Sequence, residues 1–153
     1  MNEQLKALYK SVILKHDKTP FHYEKKEQAT HVIKAYNELC GDRFDIYFEI
    51  EDDTIKDIFF HGYGCAISKA STSVLIKKII DRPIAEAKKT IELFLENITG
   101  EKDFSEITDD ELTAFSAAKN FPGRKKCATL AWEEMQRFMS YGNGMYNTKQ
   151  GVR

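Results

Sequence analysis

A chain of 153 residues with 42% hydrophobic and 31% charged residues has the size and composition of one folded domain, long enough to bury roughly two-thirds of its unfolded surface without disulfides. Its 23 Lys and Arg against 24 Asp and Glu leave a formal net charge of −1, so no global field holds nucleic acid or an anionic membrane. Three cysteines are an odd number for a closed disulfide framework.

The N-terminus has no apolar signal segment and charges interrupt every apolar run, so the expectation is a soluble cytoplasmic protein. Residues 2–16 read as a helix, with Leu5, Leu8, Tyr9, Val12 and Ile13 on one stripe; Pro20 stops it. A ragged strand follows at 30–37. Phe44, Ile46, Phe48 and Ile50 alternate with Asp45, Tyr47 and Glu49, the period of a strand with one face inward. Glu51-Asp52-Asp53 turns the chain into a strand at 54–61, with Ile58 and Phe60 on one face and Phe59 on the other. Such short connections require antiparallel pairing.

From Gly62-Tyr63-Gly64 onward the period is helical. A helix at 66–80 carries the small residues Ala66, Ala70, Ser71 and Ser73, which would let another element approach closely. Pro83 opens a helix to about Thr99. Residues 100–111 hold six acids against one Lys and read as a solvated loop leading into a short helix at 111–118. Pro122-Gly123 breaks that helix, and a last one covers 124–140 with Leu130, Trp132, Met135 and Phe138 to pack. The segment 142–153 reads as a loose tail, leaving one domain at 1–141. A helix, three strands and then only helices predict an α+β domain with helices packed on an antiparallel sheet.

Cys40, Cys65 and Cys127 all fall at element ends, where sites tend to be assembled. Three buried thiols would be the plainest account of their number; metal ligands and sulfur nucleophiles are the others. Cys65 and Cys127 are expected in the first turns of helices, where free N–H groups and the dipole favour a thiolate. Arg124, Lys125 and Lys126 add positive charge beside Cys127. Asp42 follows Cys40 by two residues, and Gly41 permits a tight turn that could aim thiol and carboxylate at one ion. Three thiolates and a carboxylate make a tetrahedral set suited to zinc, although spacings of 25 and 62 residues match no local metal motif. His61 ends the strand leading to Cys65 and could line the same pocket; His22 and His31 read as surface or loop residues.

Cys40-Gly41-Asp42, Gly62-x-Gly64-Cys65-x-Ile67-Ser68 followed by Ala70-Ser71, and Arg124-x-Lys126-Cys127-Ala128-Thr129-Leu130-x-Trp132 resemble the IscU/SufU/NifU-N family of iron–sulfur assembly proteins. Leu8-Tyr9, His16 and Pro20 fit as well, so the likeness covers about residues 5–140. It implies a three-stranded antiparallel sheet with packed helices. The acidic stretch resembles the insertion of the SufU branch, here 100–119. Lys126 stands where IscU-type scaffolds typically carry His, and Glu38 stands where the family usually has Pro. The SufU resemblance implies zinc bound by Cys40, Asp42, Cys65 and Cys127, with Gly41, Gly64, Arg124 and Lys126 around them. It further implies sulfur transfer from a SufS-type cysteine desulfurase: a histidine of the desulfurase replaces Cys40 on the metal, and the freed Cys40 thiol accepts the sulfur. The alternative is a scaffold that assembles a [2Fe–2S] cluster, or holds iron, on the same residues and passes it to acceptor proteins; a third reading is zinc that only ties element ends together.

Overall fold

The computed structural model describes residues 3–100, 109–120 and 122–141. Three antiparallel strands, β1 (His31–Asn37), β2 (Asp42–Glu51) and β3 (Thr54–Tyr63), form one sheet in the order β1-β2-β3. The expected alternation holds: Phe44, Ile46 and Phe48 of β2 and Ile58 and Phe60 of β3 are buried against the helices. Each such side chain contributes roughly 1.5–3 kcal/mol through apolar burial. The strands run further than the sequence pattern suggests, and β2 begins at Asp42 itself.

The other face of the sheet is not simply solvated. Residues 22–24 run parallel beside β3, with Glu24 N–H donating to Phe60 C=O at 2.8 Å and Phe60 N–H to His22 C=O at 3.1 Å. The segment that continues from them helps to line a cavity of about 350 Å³ with Tyr47, Glu49, Asp57 and Phe59. Tyr47, placed outward by the alternation, is therefore buried.

The N-terminal helix is continuous but changes winding, from α1 (Glu3–Leu8) through a π-helical stretch (Tyr9–Leu14) to α2 (Lys15–Lys18). Helix α3 (Ala66–Ile79) and α4 (Ile84–Thr99) follow, with Pro83 as the N-cap of α4, one position before its expected place. After α5 (Asp110–Thr113) and a 3-10 turn (Ala114–Asn120), α6 (Pro122–Tyr141) closes the domain. Pro122-Gly123 thus opens the last helix instead of preceding it.

The small residues of α3 are where α6 comes close. Trp132 Nε1–H donates to Ser71 Oγ at 2.8 Å, and Ser71 Oγ in turn donates to Ala128 C=O. The Trp132 indole stacks on Phe94 of α4 with centroids 3.8 Å apart. No described helix is long and apolar enough to cross a membrane.

The described end of the acidic stretch, residues 109–111, departs from the solvated loop expected of it. Glu111 Oε2 lies 2.7 Å from His16 Nε2 and 2.9 Å from Lys77 Nζ, and Lys78 Nζ reaches both Glu111 Oε1 and Asp109 Oδ2 at 2.8 Å. Burial works against the Glu111 carboxylate, but hydrogen bonds from Lys78, Lys77 and His16 outweigh it and bring its pKa down to about 2. His16 Nδ1 meets Ser73 Oγ at 2.7 Å. This Ser–His–Glu line is a staple and not a nucleophile, because Ser73 is fully buried and its hydroxyl already accepts the Phe21 N–H at 2.7 Å. Leu112, Ala114, Phe115 and Ala118, just beyond the staple, enter the core. Glu101, Asp103, Glu106 and the tail from Gly142 lie outside the described residues.

Candidate metal centre

Asn37 ends β1, and its carbonyl accepts the N–H groups of Cys40 at 3.2 Å and Gly41 at 2.8 Å. Gly41 closes this turn with φ +80°, a conformation that L side chains resist. The turn leaves Cys40 exposed and delivers Asp42, the first residue of β2, into the interior with no exposed surface. Cys127 comes from α6 and is 2% exposed. The three ligand atoms of Cys40, Asp42 and Cys127 lie within 4.8 Å of one another.

Cys65 sits beside this group but outside it. It is the N-cap of α3, and its Sγ accepts the Ser68 N–H at 3.4 Å, with Ser68 Oγ at 3.7 Å. A cysteine in this position does the work usually given to Ser or Asp. The backbone N–H of Cys65 donates to Asp42 Oδ1 at 3.1 Å, which ties the start of α3 to the start of β2. Gly64 makes that approach possible: a Cβ there would lie 2.5 Å from Ser68 Oγ and 2.6 Å from Asp42 Oδ1. Ser68 joins the site by way of this cap, and the only sequence signal for it is the three-residue offset from Cys65, the spacing at which a capping side chain meets a free N–H.

The electrostatics correct one expectation. Helix α6 begins at Pro122, so Cys127 lies in its second turn, beyond the free N–H groups expected to stabilise a thiolate. Burial, with the Cys65 thiol and the Asp42 carboxylate close by, pushes the Cys127 thiol well above its ordinary range. A bound cation would reverse that balance. Positive charge does reach the thiols, from Arg124, whose guanidinium sits against Cys65 and Cys127 and is itself held in the charged form by them. Lys126 instead pairs with Glu133 at 2.6 Å. His61 packs its ring on Tyr23, with centroids 4.7 Å apart, and is not part of the ligand group.

The residues fit a thiophilic cation. Asp42 Oδ2 is buried without a hydrogen-bond partner, an arrangement that costs energy unless a cation or donor meets it. Soft thiols and one carboxylate suit zinc, and sulfur-rich sets also hold iron–sulfur clusters.

A three-stranded antiparallel sheet backed by helices, with Cys40, Asp42 and Cys127 gathered at one end and Cys65 beside them, defines the class. The chain belongs to the NifU-like N-terminal domain family, whose sequence pattern matches residues 8–128. Among its relatives, the iron–sulfur cluster assembly scaffold protein IscU of Streptococcus pyogenes serotype M1 is 30% identical over 98% of this chain and 94% of its own length. The zinc-dependent sulfurtransferase SufU of Bacillus subtilis strain 168 is 30% identical over 94% of this chain and 97% of its own. The crystal structure of FiSufU from Fervidobacterium islandicum AW-1 superimposes with a TM-score of 0.76 at 32% identity, covering 87% of this chain and 97% of that one.

Proposed function

We propose that the protein is a zinc-dependent sulfur-transfer protein that accepts persulfide sulfur from a SufS-type cysteine desulfurase. The observation that carries this reading is an asymmetry within the cluster. Cys40 is exposed on a turn, whereas Asp42 and Cys127, within 4.8 Å of it, are buried in regular elements. A thiol on a turn can leave a shared ligand set with little repacking, and thiols anchored by helices cannot. Cys40, Asp42 and Cys127 would hold the zinc, with Cys65 as the fourth ligand. The metal would keep the thiolates deprotonated and blunt their reactivity.

The released Cys40 thiolate attacks the terminal sulfur of the donor's persulfide. A new S–S bond forms at Cys40, the donor's S–S bond breaks, and the donor cysteine departs as a thiolate, so nothing is oxidised or reduced overall. The buried Asp42 and Cys127 stay in place during this exchange. The exposed guanidinium of Arg124 lies beside the site, where it offsets the negative charge of the exchanging sulfurs. The name of the Bacillus subtilis relative supports this reading, and so does Lys126 where scaffolds typically carry His.

A scaffold for a [2Fe–2S] cluster is the second reading, favoured by the name of the Streptococcus pyogenes relative, which matches 98% of this chain. Mixing the protein with a SufS-type desulfurase and measuring cysteine turnover separates the two. Sulfur transfer predicts a zinc-dependent rise in turnover. No rise, together with a stable iron–sulfur absorption spectrum after anaerobic loading, would favour the scaffold.

A further inference from the structure

The same sulfur atoms that can share a cation are also placed to join each other. We propose that Cys40 and Cys127 form a reversible intramolecular disulfide when the protein meets a peroxide, making this pair a redox modification site. Their Sγ atoms are no more than 4.8 Å apart, against about 2.05 Å in a disulfide. The remaining distance has to be covered by movement of one partner, and only one is free to move. Cys40 lies on the Asn37–Gly41 turn, held by two backbone hydrogen bonds, and beyond Gly41 and its chain neighbours no described heavy atom lies within 4 Å of the position of a Gly41 Cβ. Cys127 is fixed in α6 beneath the turn.

The third thiol is held in another role. Cys65 Sγ lies beside the Cys127 thiol, but it accepts the Ser68 N–H and caps α3. A Cys65–Cys127 bridge would join two helix-anchored residues, neither on a movable turn, and would uncap α3.

Exposure decides which sulfur reacts first, since Cys40 is open to solvent and Cys127 is buried. The Cys40 thiolate attacks one oxygen of hydrogen peroxide, giving a sulfenic acid and hydroxide. The Cys127 thiol then displaces the sulfenic oxygen as water, and the S–S bond closes. The two thiols together lose two electrons to the peroxide, and a dithiol reductant returns them. The bridge withdraws two metal ligands at once, so oxidation and metal retention are mutually exclusive. The consequence that the sulfur acceptor is blocked rests on the function proposed above; the bridge itself does not.

The test uses the full chain as isolated. It is treated with hydrogen peroxide, metal release is followed with a chromophoric chelator, free thiols are alkylated under denaturing conditions, and the peptides are mapped by mass. The expected result is a Cys40 peptide linked to a Cys127 peptide, lighter by about 2 Da than the pair of thiols, with Cys65 alkylated and the bridge forming in step with metal release. A dithiol should restore all three thiols. The Cys65→Ser protein should form the same bridge, and in Cys127→Ser a sulfenate trap should capture Cys40. A Cys65–Cys127 link, a link only between chains, or direct overoxidation of Cys40 with no bridge would overturn the proposal. Because no desulfurase is present, these outcomes stand apart from success or failure of the sulfur-transfer reading.

Discussion

The two oxygens of Asp42 are placed differently, and replacing the residue tests both. Its Oδ1 accepts the Cys65 N–H at the start of α3, while Oδ2 is buried without a hydrogen-bond partner, the position the proposed cation would fill. Asp42→Ala should leave a folded chain that is less stable by about 1–3 kcal/mol, the cost of an unsatisfied buried donor, and that retains much less metal. Denaturant unfolding beside metal analysis checks both effects; unchanged metal content would remove Asp42 from the ligand set. Gly64→Ala acts on the same residue from outside, because its Cβ would press on Asp42 Oδ1 and Ser68 Oγ. Metal affinity should fall in this variant although no ligand is altered, and equal affinity to the parent would contradict the cradle described here. At this scale the sequence offered the candidate ligand types but not their states. Gly41 and the two-residue spacing suggested that Cys40 and Asp42 could face one point, and their ligand atoms do lie within 4.8 Å of each other and of Cys127 Sγ. The raised pKa of the Cys127 thiol was not foreseeable, because it depends on burial under elements distant in sequence.

Strands and helices were the most legible part, since period-two alternation in β2 and β3 and three-to-four spacing in α4 are local signals. What local pattern misses is pairing across the chain. The acids at 109–111 looked like solvent-facing charge, yet Asp109 and Glu111 meet Lys77 and Lys78 of α3 and His16 of α2. The pH dependence of this clamp follows from the lowered pKa of Glu111. Because the folded value, about 2, lies below the ordinary 4.5, the stabilisation is fully present above about pH 4.5. It is lost as pH falls from there toward 2. Glu111→Gln should therefore cost roughly 1.5–3 kcal/mol at neutral pH, the range for hydrogen bonds to charged groups, and flatten the acid limb of the stability curve. Thermal unfolding across that pH range checks the claim; a parallel acid limb in parent and variant would show that the clamp contributes nothing.

Across the whole molecule, the order of one helix, three strands and then helices was enough to give the α+β architecture. It could not reveal that β1, β2, α3 and α6 deliver their ends to one place, which is a property of the packing. Metal binding should couple to that packing, because the candidate ligands come from the β1–β2 turn and two helices. About one zinc per chain is expected, with sulfur neighbours near ~2.3 Å by X-ray absorption, and its removal by a chelator should lower the melting temperature. A coordination shell dominated by nitrogen would contradict the assignment. The sulfur-transfer reading meets its most direct test in a desulfurase reaction followed by peptide mass mapping. The account predicts an added mass of about 32 Da per sulfur on the peptide carrying Cys40, and no desulfurase activation by a folded Cys40→Ser protein. Sulfur found on the Cys65 or Cys127 peptide instead, or full activation by Cys40→Ser, would contradict it.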